Sequence, residues 1–215
     1  MFSNPFRHYF WCLPEGSEPP SQVQQRPDFQ IHYGVPDGSK LPRDSFVVLD
    51  DLQHAQDVNT QLLHTVHSHH RNLTVLTLNH SIFPKNRFQR DLTQSVKYYL
   101  IAKNPRDTQA FFRFALQLDP TRARSLYSSY LDSCCEPFGY LLCDLTQRAH
   151  PALKYLSNIL PSDEGLTIYA TDEGIARLMR EDPRYVRYSE ALHSSCSSLT
   201  EEQQEPSKGY FGVSE

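Results

Sequence analysis

No glycine in this chain is followed by Lys-Ser or Lys-Thr. The eight glycines are scattered, so the chain has no G-x-x-x-x-G-K-[ST] loop, whose backbone N–H groups and lysine would hold a triphosphate. Gly38-Ser39-Lys40 is the nearest echo, and it lacks the earlier glycine. An excess of basic charge is also missing. Against 25 Asp and Glu stand 21 Lys and Arg, a formal charge of -4, so any contact with nucleic acid must come from local basic segments. No apolar run approaches the roughly 20 residues that span a bilayer, so no membrane association is expected. The amino-terminal stretch Met1 to His8 has no cationic segment leading into an apolar one, so no signal peptide is expected either. The five cysteines form no metal-binding spacing: Cys134 and Cys135 adjoin, while Cys12, Cys143 and Cys196 are scattered. An odd number without a framework reads as reduced thiols in a nuclear or cytoplasmic protein that is not secreted.

What is present suits a globular domain. The chain has 215 residues, 39% of them hydrophobic and 21% charged, enough to bury one sizeable core. The stretch that organises it is Phe46-Val47-Val48-Leu49-Asp50-Asp51, four apolar residues running into two carboxylates. A continuous apolar run of this kind reads as a strand buried on both faces. Acids at its end fall where ligands of open α/β sheets gather, beyond the carboxyl ends of parallel strands. There one carboxylate can hold Mg²⁺ through water while its neighbour orients an attacking water, the Walker B pattern. The other reading of the same residues is a strand followed by a solvated acidic turn.

Around this stretch the chain alternates. Strands are expected at His8–Leu13, Phe29–Tyr33, Leu73–Leu78, Val96–Ala102 and Tyr140–Leu145. A helix is expected from about Asp57 to His70, with Val58, Leu62, Leu63 and Val66 on its buried face. It ends in His67, His69 and His70, read either as a zinc site or as a solvated helix end suited to the dipole. Asn104-Pro105-Arg106-Asp107 has the chemistry of a helix start, and a second helix begins near Thr121. Strands alternating with helices predict an α/β fold whose strands at 46–50, 73–78, 97–102 and 140–145 share one largely parallel sheet. Residues 161–195 read as a partly helical extension. Residues 196–215, rich in Ser, Glu and Gln, read as a disordered tail outside the core.

Four stretches in order carry a resemblance. They are Val47-Val48-Leu49-Asp50-Asp51-Leu52, Ser68-His69-His70-Arg71-Asn72-Leu73-Thr74-Val75, Lys103-Asn104-Pro105-Arg106-Asp107, and Glu136-Pro137-Phe138-Gly139-Tyr140-Leu141-Leu142-Cys143-Asp144-Leu145. Together with the aromatic strand holding Trp11-Cys12, the series resembles the FtsK–HerA-type DNA-packaging ATPases of Polinton (Maverick) elements and adintovirus-like viruses, over roughly residues 8–160. The resemblance implies a P-loop NTPase-like fold over residues 1–160, incomplete at its amino-terminal end, because the family's phosphate cradle would precede Met1. In the family's sheet the strand bearing that cradle lies beside the one matching 73–78.

The resemblance also implies roles. Asp50 becomes the acid that holds Mg²⁺ through water, and Asp51 the one that orients the attacking water. Asn79 and His80 fall where the family carries a polar sensor, commonly glutamine; a histidine there is a departure. Arg90 falls near an arginine that reaches into the next subunit of a ring, with a solvated loop arginine as the other reading. Mg²⁺ and ATP are implied only if the missing cradle is supplied. The partners implied are further copies in a ring or an intact ATPase, with double-stranded DNA as cargo. The expected function is a truncated or degenerate packaging-type ATPase. The alternative is a non-catalytic relative that keeps the fold to bind ATPase subunits or DNA.

Overall fold

The computed structural model describes residues 6–55, 57–83, 95–106, 108–160 and 165–181, and the backbone of 185–187 and 208–213. The chain divides into two compact units, Met1–Ser95 and Val96–Glu215.

The first unit is built on four parallel strands, β1 (His8–Leu13), β2 (Phe29–Tyr33), β3 (Ser45–Asp50) and β4 (Thr74–Leu78). Their order in the sheet is β2-β1-β3-β4, and each neighbouring pair runs parallel. The expected neighbours 46–50 and 73–78 are thus parallel and adjacent. Side chains alternate between the faces, so Phe10 and Cys12 of β1 share a face with Val47 and Leu49 of β3 and Val75 of β4. This face packs against Leu41, Leu52, Leu63 and Leu73. On the opposite face an aromatic row crosses three strands: Phe29 lies 5.4 Å from Tyr9, and Tyr9 lies 6.4 Å from Phe46. Between β1 and β2 the chain passes through a single helical turn, α1 (Ser21–Gln24).

Between β3 and β4 the chain runs helically from Val58 to His70, in three pieces: α2 (Val58–Leu62), a π-helical turn (Leu63–His67) and α3 (Ser68–His70). Asp57 starts it with a reciprocal cap, accepting from the N–H groups of Asn59 (2.9 Å) and Thr60 (3.2 Å), while the Thr60 hydroxyl accepts from Asp57 N–H. The expected buried stripe is corrected here. Leu63 and Thr60 are buried, whereas Val58, Leu62 and Val66 are exposed. The inward stripe is Thr60, Leu63, His64 and His67, at the same helical spacing but rotated toward the polar side. Wide π turns accommodate such a rotation, and they recur at functional positions.

The second unit holds β5 (Tyr98–Ala102), α4 (Thr108–Leu118), α5 (Ala123–Ser133), β6 (Tyr140–Asp144), β7 (Tyr155–Ser157), β8 (Leu166–Tyr169), α6 (Asp172–Glu181), β9 (Tyr185–Arg187) and β10 (Lys208–Val213). Among the described residues its strands form a separate six-stranded sheet, ordered β5-β6-β7-β8-β10-β9, in which every pair is antiparallel. The expectation that 97–102 and 140–145 would extend the parallel sheet is therefore wrong. The physical reason lies in the connection. One helix between two strands returns the chain for a parallel partner, but β5 and β6 are joined by two helices, and the second brings the chain back running the other way. α4 and α5 cover the face carrying Tyr99, where Phe114 lies 4.9 Å from the Tyr99 ring and Phe111 stacks on Tyr130 at 4.2 Å. On the other face Ile168 packs with Ile175 and Leu178 of α6 and with Ala152.

Two smaller expectations also change. Asn104 does not cap a helix directly: its side chain accepts from Arg106 N–H (3.0 Å) in a turn, and α4 begins at Thr108. The tail expected to stay outside the core contributes β10, paired between β8 and β9. Residues 188–207, Asp107 and Arg90 lie outside the described residues. Among the described residues no helix is long and apolar enough to cross a membrane.

Candidate functional site: the carboxyl edge of the parallel sheet

A parallel sheet sends every strand out at the same edge, so the residues following β3 and β4 converge there. β3 ends at Asp50, which stands in register with Leu78, the last residue of β4. Asp51 then leaves the ladder with φ +51°, a left-handed conformation that glycine adopts freely and that aspartate adopts more readily than most side chains but still at a Cβ cost. That turn sets the Asp51 carboxylate beside the residues after β4, and Asp51 Oδ1 lies 3.3 Å from His80 Nε2. Asn79 is exposed at the same edge. Of the residues singled out in the sequence, Asp50, Asp51, Asn79 and His80 are therefore brought together. Arg90 is the exception, being outside the described residues.

Asp50 has a partner that sequence reasoning missed. The Trp11 indole N–H donates to Asp50 Oδ2 at 3.1 Å. Trp11 pairs with Val48 across the β1–β3 ladder, so it stands on the same face as Asp50 one step diagonally away. A signal did exist. A lone tryptophan in the middle of a short strand needs an acceptor for its N–H once it is partly buried, and the nearest strand ends in acid. The Asp51–His80 pair is exposed on both sides, at 58% and 79%, so by itself it is worth only about 0–1 kcal/mol and does not lock the acid in place.

Behind this edge lies a second histidine of opposite character. His64, on the π turn, is largely covered on the far side of β4, and its Nε2 lies 3.1 Å from the Thr77 hydroxyl. Burial pushes its pKa down to about 4, so it is neutral at physiological pH. The three buried thiols are poor nucleophiles. Burial pushes Cys12 and Cys143 up to about 12 and raises Cys134 as well.

The edge can serve a hydrated divalent cation through the carboxylates of Asp50 and Asp51, since Mg²⁺ keeps most of its waters and needs only one or two protein acids. Among the described residues no cluster of three or more His, Cys, Asp or Glu side chains is placed to hold a metal directly. A triphosphate fits less well. α1, which follows β1, is one turn long and has no side-chain cap, and Gly16 and Gly34, the glycines after β1 and β2, open no helix of useful length. The described residues thus place two acids at this edge but show no glycine-rich turn opening a helix beside them. Compared with known proteins, the chain matches no family model, no curated protein and no solved structure.

Proposed function

We propose that this chain carries the acid half of a nucleotide-hydrolysing site of the DNA-packaging ATPase type and depends on another segment or chain for the phosphate cradle. The observation that carries the reading is the placement of Asp50 and Asp51 at the carboxyl end of an interior parallel strand, with His80 from the adjacent strand end touching Asp51. In this reading Asp50 supports Mg²⁺ through water, Asp51 orients the attacking water, and Asn79 and His80 sense the state of the site. Arg90 serves a neighbouring subunit of a ring that moves double-stranded DNA. Support is confined to the first unit, because the later stretches of the resemblance, Lys103–Asp107 and Glu136–Leu145, fall in the antiparallel second unit.

A second reading is favoured by one specific feature. Both acids already have partners within the chain, Trp11 for Asp50 and His80 for Asp51. That suits a non-catalytic relative that keeps the fold to bind ATPase subunits or DNA.

Hydrolysis separates the readings. Phosphoryl transfer is catalysed mostly by positioning and charge stabilisation of the phosphates, so the chain alone is expected to show no ATP turnover above background. Supplying a cradle-bearing partner should produce turnover that Asp51→Asn abolishes. Turnover by the chain alone that disappears in Asp50→Ala would overturn the first reading, and a completed assembly indifferent to Asp51→Asn would favour the second.

A further inference from the structure

In the second unit β5 has one neighbour, β6, among the described residues. Leu145 N–H donates to the Lys97 carbonyl at 2.8 Å, and Tyr98 stands opposite Asp144. Antiparallel ladders alternate, so Lys97, Tyr99 and Ile101 occupy the bonded positions toward β6. The N–H and C=O groups of Tyr98, Leu100 and Ala102 therefore point the other way. The Tyr130 hydroxyl donates to the Ala102 carbonyl, which leaves the main chain of Tyr98 and Leu100 directed outward. Tyr98 and Leu100 are 56% and 55% exposed. Edge strands are ordinarily guarded by charge, proline or a bulge, and Tyr98–Ala102 contains no charge and no proline. The charges stand just beyond its ends, at Lys97 and Lys103, both exposed.

We propose that the open edge of β5 docks an extended strand of a partner protein, apolar at alternate positions and acidic at both ends. The two lysines lie three residues to either side of Leu100. A seven-residue strand aligned with Lys97–Lys103 meets one lysine at its first residue and the other at its last, whichever direction it runs. Positions two, four and six of that strand stand on the face of Tyr98, Leu100 and Ala102 and take apolar side chains; positions one and seven take Asp or Glu. The same lysines turn away a second copy of this edge. Self-pairing about Leu100 sets Leu100 against its own copy, but it also sets Lys97 of one copy against Lys103 of the other, twice. Charge complementarity thus selects the acidic-ended strand.

The test compares two labelled heptapeptides, Glu-Val-Thr-Val-Thr-Val-Glu and Lys-Val-Thr-Val-Thr-Val-Lys, for binding to the full chain by fluorescence anisotropy. Amide exchange at Tyr98 and Leu100 reports the place of binding. The acidic peptide should bind about tenfold more tightly than the basic one, less so at high salt, and should slow exchange at both amides. The variant Lys97→Glu/Lys103→Glu, which alters exposed side chains only, should reverse the preference. The proposal is overturned by absence of binding, by equal binding of the two peptides, or by binding that leaves these amides unprotected. It is equally overturned by an unchanged preference in the double variant, or by self-association of the chain that protects the β5 amides without peptide.

Discussion

Each unit contains an apolar strand that ends in a carboxylate. β3 closes Phe46-Val47-Val48-Leu49 with Asp50, and β6 closes Tyr140-Leu141-Leu142-Cys143 with Asp144. Locally the two are alike, yet their acids meet different fates. Asp50 emerges where β4 also ends, and the residues beyond them, Asp51 and His80, touch. Asp144 emerges between strands running the opposite way, so neither neighbouring strand ends beside it. Its carboxylate folds back on its own chain, accepting from Thr146 N–H at 2.8 Å, and its N–H donates to the Lys154 carbonyl. A hydrophobic run ending in Asp thus becomes a site only where the topology gathers strand ends at one edge.

The largest expected effect tests the packing that sets the second topology. Phe111 is fully buried and stacks on Tyr130 across the α4–α5 pair, whose two-helix return makes β6 antiparallel to β5. Phe111→Ala should cost about 3–5 kcal/mol, with amide protection lost across β5 and β6. A loss under 1 kcal/mol would mean that the stacked pair does not hold the return.

Acid should separate the units next. His64 in the first unit titrates near 4 when folded and near 6.5 when unfolded. Its folded value is depressed, so the unfolded chain takes up the proton first and stability falls as pH drops from about 6.5 through about 4. The loss approaches 3 kcal/mol. Exposed acids held low by hydroxyl bonds occur in both units, Asp37 with Ser39 and Asp119 with Thr121, and do not distinguish them. Alkali should act on both units, because Cys12 and Cys143 are each raised to about 12; the stability they hold below about 9 is lost as pH rises through 12. Denaturant melts from pH 7 to 4, followed by exchange of β3 and β8 amides, check the acid effect. His64→Gln should flatten it in the first unit alone.

Much of this fold was legible in the residues. The strands announced themselves as short apolar or aromatic runs bounded by Gly, Pro and Asp, and the helix after β3 by the spacing of Val58, Leu62, Leu63 and Val66. The acid edge was legible too, because Asp50, Asp51, Asn79 and His80 follow two adjacent buried runs. What stayed hidden was long-range. Tyr98–Ala102 and Tyr140–Asp144 have the local pattern of any buried strand, and only the pairing partner decides direction. The helix after β3 misled for a different reason: most of its apolar stripe, Val58, Leu62 and Val66, is exposed, while the polar Thr60 and His64 turn inward. Polar residues whose hydrogen bonds close locally, Thr60 in the cap and His64 on Thr77, can be buried at little cost.

The smallest effect bears most directly on function. Asp51 holds a left-handed backbone at φ +51°, and its side chain gains only an exposed pairing with His80. If stability alone mattered, glycine would serve better there, because it adopts this conformation without a Cβ clash. Asp51→Gly should therefore raise stability by about 0.5–1 kcal/mol after the weak pair is lost. Asp144 is the control, since its carboxylate closes a turn by accepting from Thr146 N–H. Asp144→Ala should lower stability by about 1 kcal/mol. Opposite signs at two chemically similar strand ends, measured by denaturant melts, would mark Asp51 as kept for something other than folding. A loss at both positions would place Asp51 among the structural residues and remove the acid edge as a candidate site.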